Sequence, residues 1–180
     1  MIIPGILKER EIEELYYKLY REIDSRITCK KEKLGIGTTD GIIRFYNDDK
    51  KFLFWILQET KRDVGIDSVW FGRSLLQAIM YLGNVFYDTN LLSVDTFKGL
   101  FLNSARYFCF IPKEELIPVM ERFEPLWNKY YRVRPSEAYN IPELSDIIPE
   151  LLRTINIQKY SVSNLRLDII IKDIYENHNK

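Results

Sequence analysis

The run Lys51-Phe-Leu-Phe-Trp-Ile-Leu-Gln58 constrains the fold more than any other stretch of this chain. Aromatic and aliphatic side chains fill it without polar alternation, so it reads as a strand covered on both faces. Such a strand belongs inside a sheet that carries other elements on either side. Its continuation, Glu59-Thr60-Lys61, sets two charges where the apolar pattern would otherwise run on. A doubly buried strand has no structural reason to carry them.

Neighbouring patterns fill in the rest of the fold. Ile12, Leu15, Tyr16, Leu19 and Ile23 recur at helical spacing and predict an amphipathic first helix over residues 7–26. Residues 34–39 are a short strand candidate whose glycines would let another group approach closely. Residues 41–46 alternate, and Asn47-Asp-Asp-Lys50 supplies turn chemistry before the 51–61 strand. So short a turn makes the two strands an antiparallel hairpin. A helix is expected to start at Asp67 or Ser68 and run to about residue 87, apolar around much of its girth. Strands at 97–103 and 106–111 follow, then a helix opening at Pro112 and ending near residue 123. Two more helical patterns, 141–154 and 163–177, lie in a proline-punctuated remainder.

This order predicts an α/β (α+β) fold, a mixed central sheet flanked by helices with additional C-terminal helices. The 67–87 helix would be the crossover between strands. The expected division is a core over 1–123 and, over 124–180, a helical C-terminal extension or a linker towards further domains.

Composition removes several function classes. The net charge is +0, so any affinity for nucleic acid must come from local patches. Lys30, Lys31, Lys33, Arg62 and Arg73 are the candidates, each read alone as a solvated surface charge. Cys29 and Cys109 have no metal-ligand spacing and are expected to be free thiols. His178 is the one histidine and is expected to be terminal and disordered, which removes Ser-His-Asp and Cys-His chemistry. No apolar run approaches the roughly 18–20 residues of a membrane span. The first ten residues lack the succession of a signal peptide. A cytoplasmic protein without a membrane partner is expected.

Phosphoryl chemistry on carboxylates and magnesium or manganese needs no histidine. Antiparallel pairing would bring Asp40, at the start of one hairpin strand, beside Glu59 near the end of the other. Glu59 and Lys61 share a strand face by alternation, while the Thr60 carbonyl is a third candidate ligand. Here the chain resembles the PD-(D/E)xK nuclease superfamily, in its RecB-like, restriction-endonuclease branch. Thr39-Asp40 stands at the family's Pro-Asp position, with threonine in place of proline. Glu59-Thr60-Lys61 matches the (D/E)xK triplet, and Gln77-Ala-Ile-Met-Tyr81 looks like the branch's QxxxY motif.

That resemblance covers about residues 7–86. It implies a restriction-endonuclease-like fold that cuts DNA with Mg2+ or Mn2+. Asp40 and Glu59 would bind the metal, Lys61 would position water, and Gln77 and Tyr81 would support the site. Family members also often carry a metal-proximal glutamate on the first helix. Glu9, Glu13 and Glu22 flank its apolar face, and Glu22 is the expected one. Lys33, Arg62 and Arg73 would contact DNA. Additional domains or subunits are implied for target recognition in a restriction-modification enzyme, and a homodimer for cutting both strands. Two other readings stand beside this one. The fold could be a catalytically inactive module that binds nucleic acid or protein, or the carboxylates could serve phosphoryl transfer on RNA or a small molecule. The bland structural alternative is that Glu59 and Lys61 simply face solvent at a strand end.

Overall fold

The computed structural model describes residues 8–61, 68–88, 92–155, 160–161 and 164–178. In chain order these form α1 (Glu9–Ile23), β1 (Ile27–Lys30), β2 (Lys33–Leu34), β3 (Gly37–Thr38), β4 (Gly41–Tyr46) and β5 (Phe52–Thr60). Then come α2 (Ser68–Phe86), β6 (Phe97–Asn103), β7 (Tyr107–Pro112), α3 (Lys113–Tyr130), α4 (Pro142–Ser145), α5 (Ile148–Thr154), β8 (Tyr160–Ser161) and α6 (Asn164–Asn177).

The apolar run becomes β5, interior to a six-stranded sheet of order β1-β4-β5-β6-β7-β8. It pairs antiparallel with β4 and parallel with β6, so the sheet is mixed and α2 is the crossover. Alternation along β5 divides the core in two. Trp55 and Leu57 join a cluster with α2, α3, α4 and α5, including Leu75, Ile79, Phe123, Leu144 and Leu151. Phe54 and Ile56 join the opposite cluster with Ile12, Tyr16 and Tyr20 of α1 and Leu167 and Ile171 of α6. A strand with helices on both sides buries every second residue on each face, which is why its sequence shows no polar alternation.

The β4–β5 turn is closed by Asn47, whose Oδ1 accepts from the N–H groups of Asp49 (2.9 Å) and Lys51 (3.0 Å). Residues 34–39 are not one strand. Gly35, at φ 69°, turns the chain into the small β2–β3 hairpin. A Cβ on Gly37 would lie 2.9 Å from Cε1 of Tyr81. The close approach expected at these glycines is made by the Tyr81 ring at Gly37 and by the Asn84 side chain at Gly35.

Several boundaries differ from expectation. The first helix ends at Ile23 and is followed by edge strand β1, in a stretch where apolar and charged residues fit no clear period. The helix after Pro112 continues to Tyr130 through Pro118 and Pro125, carrying Trp127 into the core. It therefore crosses the expected division at 123, and residues from α4, α5 and α6 belong to the same two core clusters. The 141–154 pattern is two short helices. Both cysteines are free, as expected. His178 is not loose: its ring packs against Phe54 with centroids 4.9 Å apart. The second helix begins at Ser68, one of the two positions expected at its start, and Asp67 lies outside the described residues. Among those described, no helix is long and apolar enough to cross a membrane.

Candidate metal centre

The start of β4 meets the end of β5. Gly41 pairs with Gln58, which brings Asp40 opposite Glu59 as the short hairpin predicts. The Asp40 carboxylate accepts a hydrogen bond from the Thr60 N–H at 2.8 Å, and its backbone carbonyl accepts one from the Tyr17 hydroxyl. Glu59 does not face solvent. It is 1% exposed, and neither carboxylate oxygen has a hydrogen-bond partner. Lys61 Nζ stands 3.3 Å from Oε1, an ion pair longer than a good hydrogen bond.

From α1 comes a stripe at four-residue spacing: Glu9, Glu13 and Tyr17. One oxygen each from Glu9, Glu13 and Asp40 lie within 4.8 Å of one another. Converging carboxylate oxygens are the donor set that hard divalent cations take. Glu13 is buried, at 2% exposure, and Lys31 Nζ lies 2.8 Å from its Oε2.

Burial and mutual repulsion set the electrostatics of the cluster. Burial, then the neighbouring Glu59 charge, holds the Asp40 carboxyl far above the usual carboxylate range, against the Thr60 hydrogen bond. Burial lifts Glu59 to about 7, with Lys61 pulling the other way. For Lys61, burial disfavours the ammonium, but Glu59, Glu9 and Asp40 outweigh it and leave the amine raised. The charged lysine sits among carboxylates that compete for one proton.

The α2 residues meet this centre from the same face of β5. Lys61 Nζ donates to Gln77 Oε1 at 2.7 Å. One turn further on, the Tyr81 hydroxyl donates to the Thr38 carbonyl at 2.7 Å and so ties α2 to the chain entering Asp40. One turn before Gln77, the Arg73 guanidinium stacks over the Tyr139 ring, 4.3 Å from its centroid. On the opposite face of β5, Asn103 Nδ2 donates to the Tyr20 hydroxyl (2.9 Å) and to Gln58 Oε1 (3.0 Å). Asn103 also accepts the Lys61 N–H through its carbonyl, at 2.9 Å, which fixes where the β5 end stops.

The geometry thus brings together Asp40, Glu59, Lys61, Gln77 and Tyr81, but not Glu22. Nine residues separate Glu22 from Glu13, a rotation of about 180° on a helix, so the two lie on opposite sides. Glu22 is exposed, 3.9 Å from Lys18, on a surface it shares with Glu14 and Arg21. The first-helix carboxylates at the centre are Glu9 and Glu13. Thr60 contributes its N–H to Asp40, and its buried hydroxyl has no hydrogen-bond partner. Lys33 is exposed on β2, and Arg62 lies outside the described residues. Sequence reasoning missed Lys31 and Tyr17 as parts of the centre. Tyr17 was detectable as the third member of the Glu9–Glu13 stripe. Lys31 was visible only as one of a basic group with Lys30 and Lys33, with nothing local to tie it to Glu13.

Comparison of the chain with protein-family models, with curated proteins and with solved structures gives no match in any of the three.

Proposed function

We propose that this chain is a metal-dependent nuclease domain that hydrolyses DNA phosphodiester bonds, acting within a restriction or DNA-processing enzyme. The observation that carries the reading is Glu59: a buried carboxylate with no hydrogen bond to either oxygen, beside Asp40 and next to a converging pair from α1. A structural carboxylate at that depth would be hydrogen-bonded. Orphaned, mutually repelling oxygens fit a divalent cation as the missing partner.

Asp40, Glu13 and Glu9, whose oxygens converge, would hold Mg2+ or Mn2+, with Glu59 beside Asp40 as a further ligand. When bound, such a cation supplies Lewis acidity towards the phosphodiester and its attacking water. The chain's own part is positioning. Gln77 accepts from the Lys61 ammonium while Glu59 stands 3.3 Å away as its ion-pair partner, which leaves an N–H to orient water or meet charge developing on phosphate. Tyr81 fixes the β2–β3 hairpin against α2, keeping Asp40 in register with Glu59. Arg73, held against Tyr139 one turn from Gln77, is placed for a phosphate flanking the reacting one. With a net charge of +0, delivery of DNA would fall to further domains or subunits.

Purified protein should nick or degrade plasmid or single-stranded DNA with Mg2+ or Mn2+, and Lys61→Ala should abolish cleavage while leaving the fold intact. Calorimetric titration with Mn2+ tests the centre without a substrate: binding should be lost in Asp40→Ala and Glu59→Ala. Binding without cleavage of DNA or RNA would favour the non-catalytic module.

A further inference from the structure

The acidic centre carries two internal counter-ions, and only Lys61 has a role in the reading above. Lys31, just beyond the end of β1, places Nζ 2.8 Å from Oε2 of the buried Glu13. Its side chain is 48% exposed and that of Glu13 is 3% exposed, so the ammonium plugs the carboxylate from the solvent side. Glu13 converges with Glu9 and Asp40, one oxygen of each lying within 4.8 Å of the others, so the Lys31 ammonium stands beside all three carboxylates. Four carboxylates, Glu9, Glu13, Asp40 and Glu59, thus face two ammonium groups.

A carboxylate oxygen 2.8 Å from an ammonium cannot keep that contact undiminished and also ligate a cation. We infer that Lys31 is an exchangeable occupant of the centre: its ammonium competes with a divalent cation for Glu13 and, once displaced, becomes a phosphate ligand at the solvent-facing rim. This rests on the metal centre proposed above. The consequence is a coupling between two ligands. Cation binding costs the Lys31–Glu13 pair, and an incoming phosphate recovers part of that cost by accepting the freed ammonium.

The test is calorimetry of the purified chain with Mn2+, comparing the wild type with Lys31→Met, Lys31→Arg and Glu13→Gln. Removing the competitor should tighten Mn2+ binding by about three- to tenfold in Lys31→Met. Lys31→Arg keeps the pair and should bind Mn2+ as the wild type does, which separates competition from general disturbance of the fold. In a Glu13→Gln background, Lys31→Met should have no further effect. Inorganic phosphate titrated into the Mn2+-loaded proteins should bind more weakly to Lys31→Met than to the wild type. Equal Mn2+ affinity in wild type and Lys31→Met overturns the competition while leaving the metal centre standing. Equal phosphate affinity overturns the rim role. Absence of Mn2+ binding in the wild type overturns the centre and this inference with it.

Discussion

Replacing Glu59 by glutamine should stabilise the metal-free protein at pH 8. The Glu59 carboxyl is held at about 7 against an ordinary 4.5, chiefly by burial. A carboxyl raised in the folded state favours folding in its protonated form. Its contribution is intact below about 4.5 and is lost as the pH climbs through 7. Above that, an ionised Glu59 costs the folded state about 3 kcal/mol, at about 1.4 kcal/mol for each tenfold change in proton affinity. Glutamine removes this cost and also the Glu59 charge that raises Asp40. The Lys61 pair is already counted in that value, and Lys61 keeps Gln77. The gain is about 3 kcal/mol, and a chain of this size shifts by about 2–4 °C per kcal/mol. Thermal unfolding after chelation, followed by circular dichroism, should show Glu59→Gln about 6–12 °C above the wild type at pH 8 and level with it near pH 4. Saturating Mn2+ should reverse the order, since ligand at a thousand times Kd adds about 4.1 kcal/mol to the protein that binds it. A variant that melts at or below the wild type in chelator at pH 8 would refute the claim that Glu59 is a buried charge that Lys61 only partly offsets.

Other consequences follow from the same geometry. In the wild type, the Mn2+-induced rise in melting temperature should grow between pH 5 and pH 8, because Glu59 and Asp40 must lose protons to bind; a pH-independent rise contradicts their raised positions. Glu13→Gln should weaken Mn2+ binding by about tenfold or more, whereas Glu22→Gln should leave it unchanged, as a pair of titrations would show. Tyr81→Phe removes the hydrogen bond to the Thr38 carbonyl and should cost about 1 kcal/mol, read as a melting temperature about 2–4 °C lower. Gln77→Leu should lower the cleavage rate with little change in Mn2+ affinity, because Gln77 touches Lys61 and no carboxylate of the cluster.

Local pattern made much of the fold legible. The β4–β5 hairpin, the doubly buried β5 and the crossover helix α2 are each written in contiguous residues, through apolar runs, turn chemistry and helical spacing. The hairpin alone sets Asp40 opposite Glu59, and alternation alone sets Glu59 and Lys61 on one face. Edge strands β1 and β8 were illegible because each has few residues, and what defines them is a partner strand elsewhere in the chain. The reach of α3 past two prolines was hidden for a related reason. Burial of Phe123 and Trp127 against α2 outweighs a local preference to stop.

At the centre the division is sharper. By itself the sequence determined which charges stand at the end of the buried strand, which residue faces them across the hairpin, and that Gln77 and Tyr81 share one helix face. Only the tertiary structure decided which α1 carboxylates join them, because the rotation of a docked helix is set by the packing of Ile12, Tyr16 and Tyr20 against the sheet. That rotation selects Glu9 and Glu13 and turns Glu22 to solvent. It likewise brings Lys31 onto Glu13 across eighteen residues of chain, a contact that no periodicity encodes.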